Sequence, residues 1–326
     1  MKVFHWAVWA VLLSFFAACK KDKAPVGIDF RAEMRALVTE ISVNARQRDA
    51  DFIVIPQNGQ ELLSTTEDAS GPLATNYVAA ISGISREDLH YGYNKDDQAT
   101  PEPDRLYVEE FLDKGKAAGL PILVTDYCSS PANVDDSYAQ NDVKGYIGYA
   151  ADRRDLDAIA AYPGQPHHVN ADTILQLAEI QNYLYLINPA QFATRQAYID
   201  AVRATNYDLL LMDLFFNDGS EFTQAEVESL RDKANGGRRL VICYMSIGEA
   251  EEYRYYWNPD WKYGNPEWLR KENSAWKGNY KVWYWHSEWK AILFGQSDSY
   301  LTKILDAGYD GVFLDIIDGF EYFENI

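Results

Sequence analysis

Four apolar runs in this sequence end in a carboxylate, and no other feature narrows its architecture so far. They close at Asp126 (from Pro121), Asp213 (from Tyr207), Glu249 (from Arg239) and Asp315 (from Gly311), and Ile84–Glu87 is a further, mostly polar strand candidate that ends at Glu87. Two more follow the same grammar with amides. Asp51–Gly59 carries Gln57 and Asn58 near its end, and Tyr183–Asn188 stops at Asn188. Lys281–Trp285 is a further extended candidate and brings the number to eight. Runs that turn polar only at their C-terminal end suit strands buried on both faces of a parallel sheet. Before the first of them Phe30–Arg46, and between the others Tyr107–Ala118, Phe192–Ala204, Gln224–Asn235 and Ser299–Ala307, set apolar residues three and four apart, the helical spacing. Alternating strand and helix with eight candidate strands predict an α/β fold of the (β/α)8 TIM-barrel type. An open doubly wound sheet is the alternative, but no GxGxxG or P-loop pattern follows any strand. Asn94–Asp104 and Ser129–Asp142 read as polar loops.

The ends of the chain depart from the usual barrel order. A helix, Phe30–Arg46, precedes the first strand, and only eleven residues follow Asp315. A spare helix at the start and a missing one at the end predict a circularly permuted barrel, with Phe30–Arg46 beside the Asp315 strand. Upstream, Lys2 and the apolar run Val3–Phe16 lead into Ala17-Ala18-Cys19 and then Lys20-Lys21-Asp22-Lys23. That pattern predicts a lipoprotein signal peptide over 1–18, lipidation of Cys19, a tether over 19–29 and one catalytic domain over 30–326. The implied location is the bacterial cell envelope, at the outer membrane, met through the lipid anchor only. Cys128 and Cys243 lack metal-site spacing and suit core thiols. A net charge of −19 repels phosphate backbones, so a neutral or cationic ligand is expected and nucleic acid is not.

In a barrel the C-terminal strand ends converge on the active site. Standing there would be Gln57, Asn58, Glu87, Asp126, Asp213, Glu249 and Asp315, with Asp318 just beyond. Helix caps and ion pairs account for one or two such carboxylates, not five. The five histidines, at 5, 90, 167, 168 and 286, stand at no strand end, so neither a metal nor a Ser–His pair is expected at the site. No cofactor is expected. Carboxylates alone suit glycoside hydrolysis, where one acid protonates the leaving oxygen and a second carboxylate attacks or activates water. The rivals are a non-catalytic glycan-binding protein on the same barrel, and a glycan deacetylase or other metal hydrolase, which the sparse histidine usage disfavours.

Seven of the nine tryptophans fall in one 33-residue window, Trp257 to Trp289, with tyrosines among them. Such concentration suits a platform on which sugar rings stack, Trp285 included. It equally suits a local aromatic core under a long loop.

The same stretch carries a family resemblance. "VICYMSIGEAEEYRYY" (241–256), the Trp-rich window and "AGYDGVFLDIIDGFEYFE" (307–324) resemble glycoside hydrolase family 114, the endo-α-1,4-polygalactosaminidase-like proteins, from Tyr183 onward. "FIVIPQNGQELL", "GISREDLHYGY" and "ILVTDY" resemble elements that family relatives carry after the "LDIID" strand, in line with a permuted order. The resemblance implies a TIM-type barrel that cuts α-1,4-linked galactosamine polymers without a cofactor. It implies Asp315 as nucleophile and Glu87 as acid/base, with Asp213, Tyr244, Glu249 and Arg254 lining the sugar subsite and Arg254 orienting Glu249. The expected partner is then a cationic, amino-sugar polysaccharide, and the favoured outcome is retention of configuration.

Overall fold

The computed structural model describes residues 22–326; the expected signal peptide and Cys19 lie outside the described residues. Helix α1 (Phe30–Arg46) starts at Asp29, whose carboxylate accepts from the Ala32 N–H at 2.9 Å, and it buries Met34, Leu37, Val38, Ile41 and Ala45 as their spacing predicts. There follow β1 (Ile53–Pro56), α2 (Thr75–Ala80), β2 (Ile84–Glu87), α3 (Glu102–Ala117), β3 (Ile122–Tyr127), α4 (Pro131–Lys144) and β4 (Ile147–Ala151). A long connection leads to β5 (Leu184–Tyr185), α5 (Arg195–Arg203), β6 (Leu209–Met212), α6 (Gln224–Leu230) and β7 (Leu240–Ser246). An insertion then carries β8 (Glu249–Glu251), β9 (Leu269–Glu272), β10 (Asn279–Val282) and α7 (Ser287–Leu293). The chain ends with α8 (Tyr300–Asp306), β11 (Gly311–Asp315) and α9 (Gly319–Glu324).

Eight strands run parallel in two sheets, β1-β11-β7-β6-β5 and β2-β3-β4. The sheets join where Gln57, just past β1, bridges to Ser85 in β2, and the Asn58 N–H donates to the Ser85 carbonyl at 2.8 Å. At the other seam β4 and β5 share no ladder among the described residues. There the Tyr149 and Tyr183 rings pack 5.4 Å apart, and the Asn188 N–H reaches the Leu156 carbonyl at 3.2 Å. The strand order is the one a barrel requires, with the ladder interrupted at one seam. Beside β1, β11 approaches so closely that a Cβ on Gly311 would stand 2.3 Å from the Ile53 carbonyl oxygen.

Two elements differ from the sequence reading. Lys281–Trp285 is no barrel strand: β10 pairs antiparallel with β8 and β9 in a separate three-stranded sheet. The vacant place belongs to β4, Ile147-Gly148-Tyr149-Ala150-Ala151, whose small residues mask its extended character. Ser129–Asp142 is not a loop but most of α4, with Pro131 in its first turn. It looks polar because its buried face is polar: Ser137 and Asn141 turn inward to bond Asp126.

Helix α1 packs against α2 and α9, close to α8. Arg31 pairs with Glu324 at 2.9 Å, and the Phe30 ring lies 5.6 Å from that of Phe323. It therefore lies between α2 and the C-terminal helices α8 and α9.

The tryptophan window is mainly a local core. Trp268 and Trp289 are fully buried, their rings 5.1 Å apart, and Trp261 and Trp257 continue the cluster outward. Trp289 also donates to the Ile247 carbonyl at 2.9 Å, tying the insertion to the end of β7. Trp285 packs on Phe30 and Phe323, at 5.3 and 5.0 Å, and so joins α1 to α9 rather than lining a cleft. The expected platform shrinks to one ring, Trp276, which is exposed.

Candidate active site

A cleft of about 730 Å³ opens over the C-terminal strand ends. Its lining includes Gln57, Asn58, Glu87, Asp213, Tyr244, Arg254, Asp315 and Asp318, all of which the sequence singles out. Asp126, Glu249 and Trp285 are absent from it.

Asp315 closes β11, where it is held from two sides. Tyr244 donates its hydroxyl to Oδ2 at 2.6 Å, and the Ile316 N–H donates to Oδ1 at 2.8 Å. The second contact depends on an unusual backbone: Ile316 has φ 60, a left-handed conformation that a β-branched residue adopts only under strain. Its carbonyl lies so close to the loop after β7 that a Cβ on Gly248 would stand 2.3 Å from the oxygen. Burial raises the Asp315 carboxyl, the nearby charge of Glu87 raises it further, and the two hydrogen bonds only partly oppose them. The result is a pKa pushed up to about 7.

Glu87 closes β2. Its backbone N–H donates to Asn58 Oδ1 at 3.2 Å, and its Oε1 accepts from the Tyr127 hydroxyl. Burial pushes its pKa up against that hydrogen bond, with Asp88 adding to the rise. Arg154 lies over the Tyr127 ring at 4.2 Å and bonds Asp88 at 2.9 Å, so one guanidinium braces both neighbours of the acid. Gln57 accepts from Tyr185 at 2.9 Å, deep between β1 and β5.

A second group lies across the cleft. Asp213 receives both terminal nitrogens of Arg254 at 2.8 Å, and Arg254 Nε donates to Glu251 at 2.6 Å. Tyr253 donates to the other oxygen of Glu251 at 2.5 Å. Burial works against the charge of Arg254, but Asp213 and Glu251 outweigh it and hold the guanidinium firmly protonated. Asp318 lines the cleft three residues beyond Asp315; burial raises its carboxyl, with Arg86 and Lys281 opposing.

Three expectations are corrected by this geometry. Asp126 is fully buried and points away from the cleft, accepting from the His90 and Tyr91 N–H groups at 2.8 and 3.1 Å and from Ser137 at 2.6 Å. Side chains alternate along a strand, so the residue of β3 that faces the site is its neighbour Tyr127. Glu249 is likewise buried, bonded to Lys281 at 2.6 Å and Asn273 at 2.9 Å. Arg254 therefore orients Asp213 and Glu251, not Glu249. Trp285 belongs to the α1–α9 junction. The cleft's aromatic surface comes instead from Tyr127, Tyr185, Phe215, Tyr253, Tyr255 and Trp276. Of the residues missed, Tyr127 was legible from strand alternation and Glu251 from its three-residue spacing to Arg254; nothing in the sequence marks Arg154.

Residues 178–326 match the family model of glycoside-hydrolase family GH114. An uncharacterized protein of Methanocaldococcus jannaschii is 40% identical over 156 residues, which are 47% of this chain and 42% of that protein. Uncharacterized proteins of Thermotoga maritima and Deinococcus radiodurans are 40 and 39% identical over 37 and 40% of this chain, and over 36 and 39% of their own lengths. The matched stretch thus spans about two fifths of each of these relatives.

Proposed function

From a chain whose residues 178–326 match glycoside-hydrolase family GH114, a family of the TIM-barrel type, we propose an endo-acting glycosidase of α-1,4-linked galactosamine-type polysaccharide. Glu87 is its acid/base and Asp315 its nucleophile. The observation that carries the reading is the pair itself: two carboxyls from different strand ends share one cleft, both are raised by burial, and one feels the charge of the other. Such a pair gives up its protons in two steps and holds one proton between them. Asp315 accepts two hydrogen bonds, which favour its ionised form. Catalysis uses the arrangement with the shared proton on Glu87, where the leaving oxygen needs it, and in the free chain this competes with the arrangement that carries the proton on Asp315. Asp315 attacks the anomeric carbon as Glu87 protonates the departing oxygen; Glu87, now ionised, takes a proton from the water that releases the glycosyl group. Retention requires the carboxyls about 5–5.5 Å apart, whereas inversion needs about 6.5–9.5 Å.

Asp213, held by Arg254 with the buried Glu251 behind it, presents oxygens on the opposite wall, where sugar hydroxyl or ammonium groups would bind. Among the ionisable lining residues carboxylates outnumber Arg154 and Arg254, which favours a cationic chain. The position of α1 supports the permuted order, and lipidation of Cys19 would hold the enzyme at the cell envelope. Incubation of the purified chain with galactosamine-containing and other amino-sugar polymers, with product sizing and NMR of the first anomer released, tests the proposal. Shortened galactosamine oligomers that retain the α configuration are expected. Binding without any cleavage would instead leave a glycan-binding protein.

A further inference from the structure

The geometry points to a transition-metal site at the opposite end of the molecule from the cleft, formed by Asp142, His167 and His168. Asp142 lies in the last turn of α4, next to the start of β4. His167 and His168 lie midway along the connection from β4 to β5, which among regular elements holds a single short 3-10 turn, Leu177–Glu179. Their ligating atoms all fall within 4.8 Å of one another. His167 Nε2 stands 3.0 Å from Asp142 Oδ2, and His168 Nε2 stands 2.9 Å from Oδ1.

Consecutive side chains rarely turn the same nitrogen toward one carboxylate. Here His168 manages it through a left-handed backbone, φ 52, while its carbonyl is held by Asn170 and Asn182 at 3.3 and 3.2 Å. His167 is stacked on Tyr138, one turn before Asp142, at 4.4 Å and 19°. The His167 ring is thus held by a contact other than the carboxylate, and the backbone of His168 is held independently of it. Adjacent ligands of a square or octahedral ion with bonds of about 2.1 Å stand about 3 Å apart, close to the spacing found here. An ion takes the position of any Nε2 proton, each neutral imidazole then carrying its proton on Nδ1, and binding needs little rearrangement of the three side chains. Two imidazoles and a carboxylate suit Zn2+, Ni2+ or Cu2+ rather than Mg2+ or Ca2+. The side chains are 29–49% exposed, leaving room for water ligands and free exchange. None of the three lines the cleft, so the ion would fasten the connection to α4 and take no part in the hydrolysis.

The test is titration of the untagged chain, stripped with a chelator, by Zn2+ against a chromophoric competitor, with Co2+ absorption as a second readout. One equivalent is expected, with visible bands from imidazole-bound Co2+ and a rise in the thermal midpoint. Binding should weaken by at least about tenfold in His168→Ala and in Asp142→Asn. The variant His167→Gln, which keeps a polar side chain against Tyr138, guards against a folding artefact. Absence of saturable binding, or binding that all three variants leave intact, overturns the site.

Discussion

Replacing Asp315 by Asn should make the protein more stable at neutral pH while abolishing its activity. The carboxyl's pKa rises from an ordinary 3.8 to about 7 on folding, so the folded chain holds a proton that the unfolded chain has released. Its contribution to stability is complete below about pH 3.8 and is lost as the pH climbs to about 7. At about 1.36 kcal/mol per pH unit, ionising Asp315 in the folded state costs at most about 4 kcal/mol. Solvent in the cleft reaches the group and brings that nearer to about 2–3 kcal/mol. The substituted amide is neutral and escapes this penalty, but it cannot accept from both Tyr244 and Ile316 as the carboxylate does, which returns about 1 kcal/mol. The variant should therefore be about 1–2 kcal/mol more stable than wild type at pH 8 and no more stable, or slightly less, at pH 5. Urea unfolding at both values, kept above the sequence pI of about 4.6, measures the difference. A stability difference that does not change between pH 5 and pH 8 would refute the burial argument, whatever the activity does.

Glu87→Gln should retain substrate binding and lose on the order of 10²–10⁴ in kcat, read from polymer digestion; wild-type turnover by the folded variant would remove Glu87 from the chemistry. Trp276→Ala should weaken glycan binding by about 1–2 kcal/mol in calorimetry with little change in unfolding. Trp285→Ala should do the reverse, costing about 2–4 kcal/mol of stability because its ring fills the α1–α9 junction, and equal effects of the two on binding would contradict their placement. Lys233→Met should cost about 3–5 kcal/mol in urea unfolding, because it strands Asp208, with which Lys233 forms a fully buried pair at 2.7 Å.

How much was legible from sequence follows from which physical signal each part uses. Apolar runs with polar ends located six of the eight parallel strands, because burial on both faces leaves a distinctive composition, and the mostly polar candidate Ile84–Glu87 located a seventh, β2. β4 carries no such run, and the aromatic stretch that took its place is equally extended but pairs antiparallel. The carboxylates at strand ends were visible, yet Asp126 shows that a charge at the right position can face the wrong way. Strand alternation decides that facing, and here it set Asp126 toward α4 and Tyr127 toward Glu87. The tryptophan window misled for a different reason. Aromatic concentration reports a need for apolar surface, and the insertion after β7 has no other core of its own. The exposed aromatic rings of the cleft are Tyr253, Tyr255 and Trp276, whereas Tyr127 and Tyr185 line it from buried positions at the ends of β3 and β5.

The place of α1 bears most directly on how this order of elements folds. A sheet of parallel strands needs a helix over each, and the six residues of α9 are too few to cover β11. The Met34–Ala45 stripe of α1 supplies the apolar face, while Arg31 pairs with Glu324 and Arg48 with Asp306, tying both ends of the helix to the C-terminal elements. Those contacts join residues nearly the whole chain apart, so they can form only when the last elements are in hand. In an order that ends with this helix, the same contacts would be local. The docking of α1 against α8 and α9 is therefore a contact between distant parts of the chain, made at the elements that flank β11, the strand that carries Asp315.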